Sequence, residues 1–122
     1  MIAITPEVLA AAYAELAPEL GVPTRASLPA IRIALEEAHH LADDVYDVPG
    51  VLLFALGRTP RCFAGFRAMS VLVVAWHAKM LGFKLDARVD ELADVLERVA
   101  LREMDHDAVR GWTAERLFPF GG

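Results

Sequence analysis

A chain of 122 residues, 56% hydrophobic and 24% charged, is large enough for one buried core and too small for two, and its seven Pro and eight Gly are dispersed, which excludes a disordered or low-complexity chain. Twelve Lys and Arg against 17 Asp and Glu leave a formal charge of -5, without the basic face that binding to a nucleic-acid backbone requires. The single Cys62 permits no internal disulfide, and there is no C-x-x-C or Cys/His zinc spacing, so a reducing, cytoplasmic setting is expected.

The opening MIAITPEVLAAAYAEL lacks a basic n-region and carries Glu7 and Glu15 within its apolar stretch, so it does not read as a secretory signal. Thr5 is a good N-cap, Pro6 suits the first helical position, and Glu7 complements the helix dipole. A first helix is expected here with Leu9, Ala12, Tyr13 and Leu16 inward, broken by Pro18 and then by Gly21-Val22-Pro23. A second helix starts near Ser27 and tolerates Pro29 in its first turn. Leu28, Ile31, Leu35, Ala38 and Ala42 form its apolar face, and Arg32, Glu36, His39, His40 and Asp43 its polar face.

The acidic segment Asp43 to Asp47 leads to an uncharged third helix from about Val48 to Leu56. After Gly57 comes a short basic loop, RTPRCFAG, then a fourth helix from about Phe66 to Leu81 that is apolar on almost every side and is expected at the centre of a bundle. Its uncharged stretch, Ala68 to Ala78, is shorter than the roughly 20 residues that span a bilayer. Gly82 is expected to cap it in the left-handed conformation. From Asp86 to about Arg102 a fifth helix turns Val89, Leu92, Ala93, Leu96, Val99 and Ala100 inward and Asp90, Glu91, Asp94, Glu97 and Arg98 outward. A sixth, from about Asp107 to Leu117, carries Val109, Trp112, Thr113 and Arg116. With no repeat and no linker, residues 1–122 read as a single all-α domain of about six helices around the central helix 66–81.

Three groups of residues have chemical potential. Arg58, Arg61 and Arg67 surround Gly65 at the start of the fourth helix, where unpaired N–H groups and the helix dipole favour a phosphate or carboxylate; ordinary surface charge explains the same arginines. On the second helix Glu36 and His40, and His39 and Asp43, are four apart as metal ligands would be, although this is also the pattern of a solvated face. His77, beside Trp76, reads as a buried histidine with a hydrogen-bond partner, His106 as part of the cap of the last helix, and Cys62 as a thiol with arginine neighbours but no histidine to act with it.

The chain resembles the Fic/Doc (death-on-curing) family, small all-helical proteins in which a central helix follows the signature loop H-P-F-x-D-G-N-K-R. Ile4-Thr5-Pro6-Glu7 with Leu9 is similar to the start of Doc toxins, residues 53 to 83 run without gaps along the signature helix, and Asp105 to Leu117 fits the last helix. In that register the family's catalytic histidine falls on Pro60, its phenylalanine on Cys62 and its magnesium-holding acidic residue on Ala64. The glycine is kept as Gly65, the asparagine falls on Phe66, the lysine becomes Arg67 and the final arginine Ala68. Tyr13 stands where many Doc proteins have histidine, and Asp43 to Asp47 corresponds to the flap that holds an extended target by strand addition.

Proline can take no proton and alanine can hold no cation. The resemblance therefore implies a catalytically degenerate Doc-like protein of toxin–antitoxin type, with no catalytic residue and no resident cofactor or metal, acting on a protein partner such as a Phd-like antitoxin. The alternative is a nucleotide- or phosphate-binding AMP- or phosphoryl-transferase with a divergent site, using ATP and magnesium through Arg58, Arg61, Gly65 and Arg67. A metal-dependent bundle around His39 and His40 is the third possibility.

Overall fold

Thr5 opens the first helix as its side chain predicts: the hydroxyl accepts from the Val8 N–H at 3.2 Å. The computed structural model describes residues 5–20, 27–59 and 66–119. Helix α1 (Pro6–Leu20) continues through Pro18, which was expected to end it. The missing Pro18 N–H removes only one late hydrogen bond of this helix. Leu9, Ala12 and Tyr13 are buried, as their spacing requires. Helix α2 (Leu28–Leu41) starts at Ser27, whose hydroxyl accepts from the Ala30 N–H. Its inward face is Ile31, Leu35 and Ala38, with Ala30 and Ala34, while Leu28, expected inward, lies exposed in the first turn.

Helix α3 (Val48–Arg58) is buried at every position from Val48 to Gly57. Helix α4 (Phe66–Met80) buries Ser70, Val71, Val73, Val74, His77 and Ala78, leaves Leu72, Ala75 and Trp76 half-buried, and exposes Lys79 and Met80. The all-α bundle is therefore as expected, but its most enclosed helix is α3. Four helices, α2 among them, pack on α3, because Gly50 and Gly57 let two of these neighbours come close to its backbone. Gly82 ends α4 at φ +91°, the left-handed cap anticipated from the sequence.

Helix α5 (Val89–Ala100) begins three residues later than expected, and Val89 and Ala100 face solvent; Leu92, Val95, Leu96 and Val99 are its buried stripe. The Arg88 N–H donates to Glu91 Oε1 at 2.9 Å, which fixes the later start. Helix α6 (His106–Ala114) is capped by Asp105, whose Oδ1 accepts from the Ala108 N–H at 2.9 Å. It ends before Leu117. Strand β2 (Leu117–Pro119) instead pairs antiparallel with β1 (Phe83–Leu85), in the register Phe83 with Pro119 and Leu85 with Leu117. The ribbon is continued by the Asp86 N–H donating to the Arg116 carbonyl at 2.7 Å. Alternation in Phe83-Lys84-Leu85 is too short to reveal a strand in sequence, and the pairing joins segments far apart in the chain.

Candidate functional site

In sequence the anion-binding candidates flank the junction of α3 and α4. Arg61 and Gly65, like Cys62, Pro60 and Ala64, lie outside the described residues. Arg67 lies in the first turn of α4, two residues after Gly65 in sequence. Arg58 stands in the last turn of α3 with its guanidinium 5.6 Å from the centre of the Phe54 ring, one helical turn back. The His106 ring also meets Phe54, edge-on at 5.9 Å. Arg58 is thereby engaged with an aromatic ring while remaining exposed.

The polar face of α2 is solvated: Arg32, Glu36, His39 and His40 are exposed, as is Asp43 beyond it. Among the described residues no group of three or more His, Cys, Asp or Glu side chains is placed to hold a metal ion. His77 is buried, but its Nδ1 has no hydrogen-bond partner among the described residues, and neither has Ser70 Oγ on the same stripe of α4. Burial pushes the His77 imidazole below its ordinary value, because the charged form would lose its hydration.

The acidic segment is a folded turn. Asp47 Oδ2 accepts from the N–H groups of Asp43 and Asp44, and Asp44 Oδ1 accepts from those of Tyr46 and Asp47. These donors are thus occupied rather than free for strand addition. Asp47 also receives the Arg110 guanidinium of α6, with Nη2 at 3.0 Å and Nε at 3.2 Å from Oδ1, and Asp43 receives it at 3.4 Å. The hydrogen bond that Arg110 donates to Asp47 is the largest influence raising the guanidinium above its ordinary range. This turn is a latch between the start of α3 and α6.

A different feature offers a receptive surface. Val8, Ala11, Ala12 and Glu15 of α1 and Trp76 of α4 line an open groove of about 210 Å³. Val8 is 48% exposed and Met80, one turn beyond Trp76, is 68% exposed, so the apolar surface extends past the groove itself. Sequence reading ascribed Leu9, Ala12 and Tyr13 to the core and left Val8 and Ala11 without a role. The available signal was an apolar pair of residues on the outer side of an already satisfied amphipathic helix. No protein-family model and no curated protein matches the chain. Among the described residues no helix is long and apolar enough to cross a membrane.

Proposed function

We propose that this chain is a catalytically degenerate Doc-like protein of toxin–antitoxin type that acts by binding a protein partner. Its fold is compatible with that scaffold, and in the register that matches Gly65 the positions of the family's base and metal ligand are Pro60 and Ala64, neither of which can perform those roles. The observation that carries the partner-binding reading is the apolar groove between α1 and α4, with exposed Val8 at one end and Trp76 across from it. A half-exposed aliphatic side chain beside a half-buried aromatic ring, with Glu15 alongside, supports a protein-binding face.

The test is co-expression with the product of a small reading frame adjoining its own, followed by affinity purification. A stoichiometric complex that survives washing supports the reading; a chain that purifies alone in every such pairing sinks it. Incubation with labelled ATP, magnesium and lysate is expected to label nothing.

A second reading is supported by one observation: α4 begins directly after Gly65 with Arg67 in its first turn, the arrangement that offers free N–H groups and positive charge to a phosphate. It makes the chain a nucleotide- or phosphate-binding transferase that uses ATP and magnesium through Arg58, Arg61, Gly65 and Arg67. A saturable rise in melting temperature with ADP, lost in Arg67→Ala and kept in His40→Ala, would favour it over the first, because a ligand that binds only the folded state stabilises it by mass action. The expected result is no shift at millimolar nucleotide, since Phe66 and Ala68 replace an amide and a guanidinium with side chains that donate no hydrogen bond.

A further inference from the structure

His77 is a titratable side chain sealed into the bundle that neither function proposed above employs. It stands in the last turn of α4 at 4% exposure, and its Nδ1 is buried with no hydrogen-bond partner among the described residues. Buried polar atoms are satisfied in the great majority of cases, so an orphaned one calls for an explanation. The neutral ring can keep its single proton on Nε2 and leave Nδ1 a bare acceptor. Protonation removes that option. It places an N–H on Nδ1, where no acceptor waits, and a charge on a ring that burial has stripped of hydration.

The elements packed on α4, which are α1, α3, α5 and β1, offer the cation no counter-charge. On α1 the acids Glu7 and Glu15 are exposed, and Tyr13 is the titratable side chain on the buried stripe. Helix α3 carries no ionisable side chain from Val48 to Gly57; Asp47 at its start holds Arg110, and Arg58 at its end lies against Phe54. The buried stripe of α5 is apolar, with Asp90, Asp94 and Glu97 exposed and Glu91 partly so. Strand β1 buries Phe83 and exposes Lys84, and Lys79 of α4 itself is exposed. Among the described residues no carboxylate therefore lies on a buried face turned to α4.

The place of the ring in the fold decides what its protonation moves. The His77 carbonyl accepts from the Leu81 N–H at 3.1 Å and the Lys79 carbonyl from the Gly82 N–H at 3.0 Å, the bonds that turn the chain out of α4 and into β1. Strand β1 packs on α4 and pairs with β2 over three residues, and a two-stranded ribbon is marginal without such support. Helix α3, by contrast, is buried from Val48 to Gly57. The acid-sensitive side chain thus sits at the joint of the least supported unit. We propose that His77 is an acid-operated switch, whose protonation turns the ring out of the core and frees the joint between α4 and the β1–β2 ribbon while α3 keeps its packing on α2, α5 and α6. The switch does not depend on the partner proposed above.

The experiment follows the full isotope-labelled chain by NMR from pH 8 down to pH 5. The His77 ring protons report its titration, and amide exchange, referred to the intrinsic rate at each pH, reports opening. Expected is a ring midpoint below pH 6.5, with protection at Lys84 and Phe118, which face each other in the ribbon, falling about tenfold or more through the same midpoint. Protection from Leu52 to Leu56 of α3 is expected to hold. In His77→Leu the ribbon is expected to stay protected at pH 5. Ser70→Ala, which removes the other buried unpartnered polar atom of α4, and His106→Gln, at the other partly buried histidine, are expected to keep the loss. The proposal is overturned by a ring that stays neutral down to pH 5, or by one that titrates without loss of protection in the ribbon. It is equally overturned if α3 loses protection in step with the ribbon, which is global unfolding, or if the loss persists in His77→Leu. Should His77→Leu fail to fold, the shared midpoint of ring and ribbon in the wild type, against an unmoved α3, decides the matter alone.

Discussion

Gly57 of α3 and Val99 of α5 meet where no β-carbon fits: one built on Gly57 would lie 2.7 Å from Val99 Cγ1 and 2.9 Å from its Cβ, with the Leu96 carbonyl at 3.3 Å. Val99 is fully buried and cannot turn away into solvent. Alanine at this helix position would ordinarily gain about 1 kcal/mol in propensity, yet overpacking a core typically costs about 1–3 kcal/mol. Gly57→Ala is therefore expected to lower the midpoint of urea unfolding, and Val99→Ala in the same chain to recover part of the loss. Gly111 of α6 is the control, with no heavy atom of the described residues beyond its own helix within 4 Å of an added β-carbon, so Gly111→Ala is expected to stabilise by roughly 0.5–1 kcal/mol. Equal effects of the two substitutions would contradict the close packing of α3 on α5.

The latch between Asp47 and Arg110 gives a second expectation. Asp47 is mostly buried and holds both the guanidinium and two N–H groups of its own turn, whereas Asp43 is exposed and touches Arg110 only at 3.4 Å. Asp47→Ala is expected to lower the melting temperature clearly and Asp43→Ala hardly at all. A double-mutant cycle of Asp47→Asn with Arg110→Met should return a coupling on the order of 1 kcal/mol that shrinks in high salt, as expected for a pair only partly shielded from water. A coupling of zero would mean that the pair does not hold α6 to the turn.

His77 makes stability depend on pH. Burial lowers its folded-state value below the ordinary 6.5, so between the two values the unfolded chain binds more protons than the folded one. The sign follows directly: this contribution is complete above about pH 6.5 and is lost as the pH falls below it. Melting temperatures measured from pH 8 down to pH 5 are expected to fall more steeply for the wild type than for His77→Leu. Parallel curves would show that His77 remains solvated.

Arg102 adopts φ +62° in the turn after α5, the only non-glycine residue at positive φ among the described residues. Its N–H donates to the Val99 carbonyl and that of Glu103 to the Arg98 carbonyl at 2.7 Å, the pair of bonds that usually closes a helix around a left-handed glycine. A side chain in this conformation costs roughly 1–2 kcal/mol. Arg102→Gly is therefore expected to raise the melting temperature by several degrees. A decrease would mean that the Arg102 side chain contributes more than its backbone loses.

The amino-acid sequence by itself determined the helices and most of their inward faces. Thr5, Ser27 and Asp105 mark helix starts because a short oxygen-bearing side chain satisfies an N–H that the helix leaves open, and Gly82 marks an end because it alone enters the left-handed region freely. Such interactions span three or four residues and are legible locally. What only the tertiary structure decided depends on partners distant in the chain. Both α3 and α4 are largely apolar, and composition singled out the longer; the enclosure of α3 follows from Gly50 and Gly57 admitting α6 and α5. Pairing of Phe83–Leu85 with Leu117–Pro119 needs the bundle to bring the two segments together. The groove arises only where Val8 and Glu15 of α1 meet Trp76 of α4, because periodicity tells which residues leave one helix's core face but not which neighbouring helix those residues will confront.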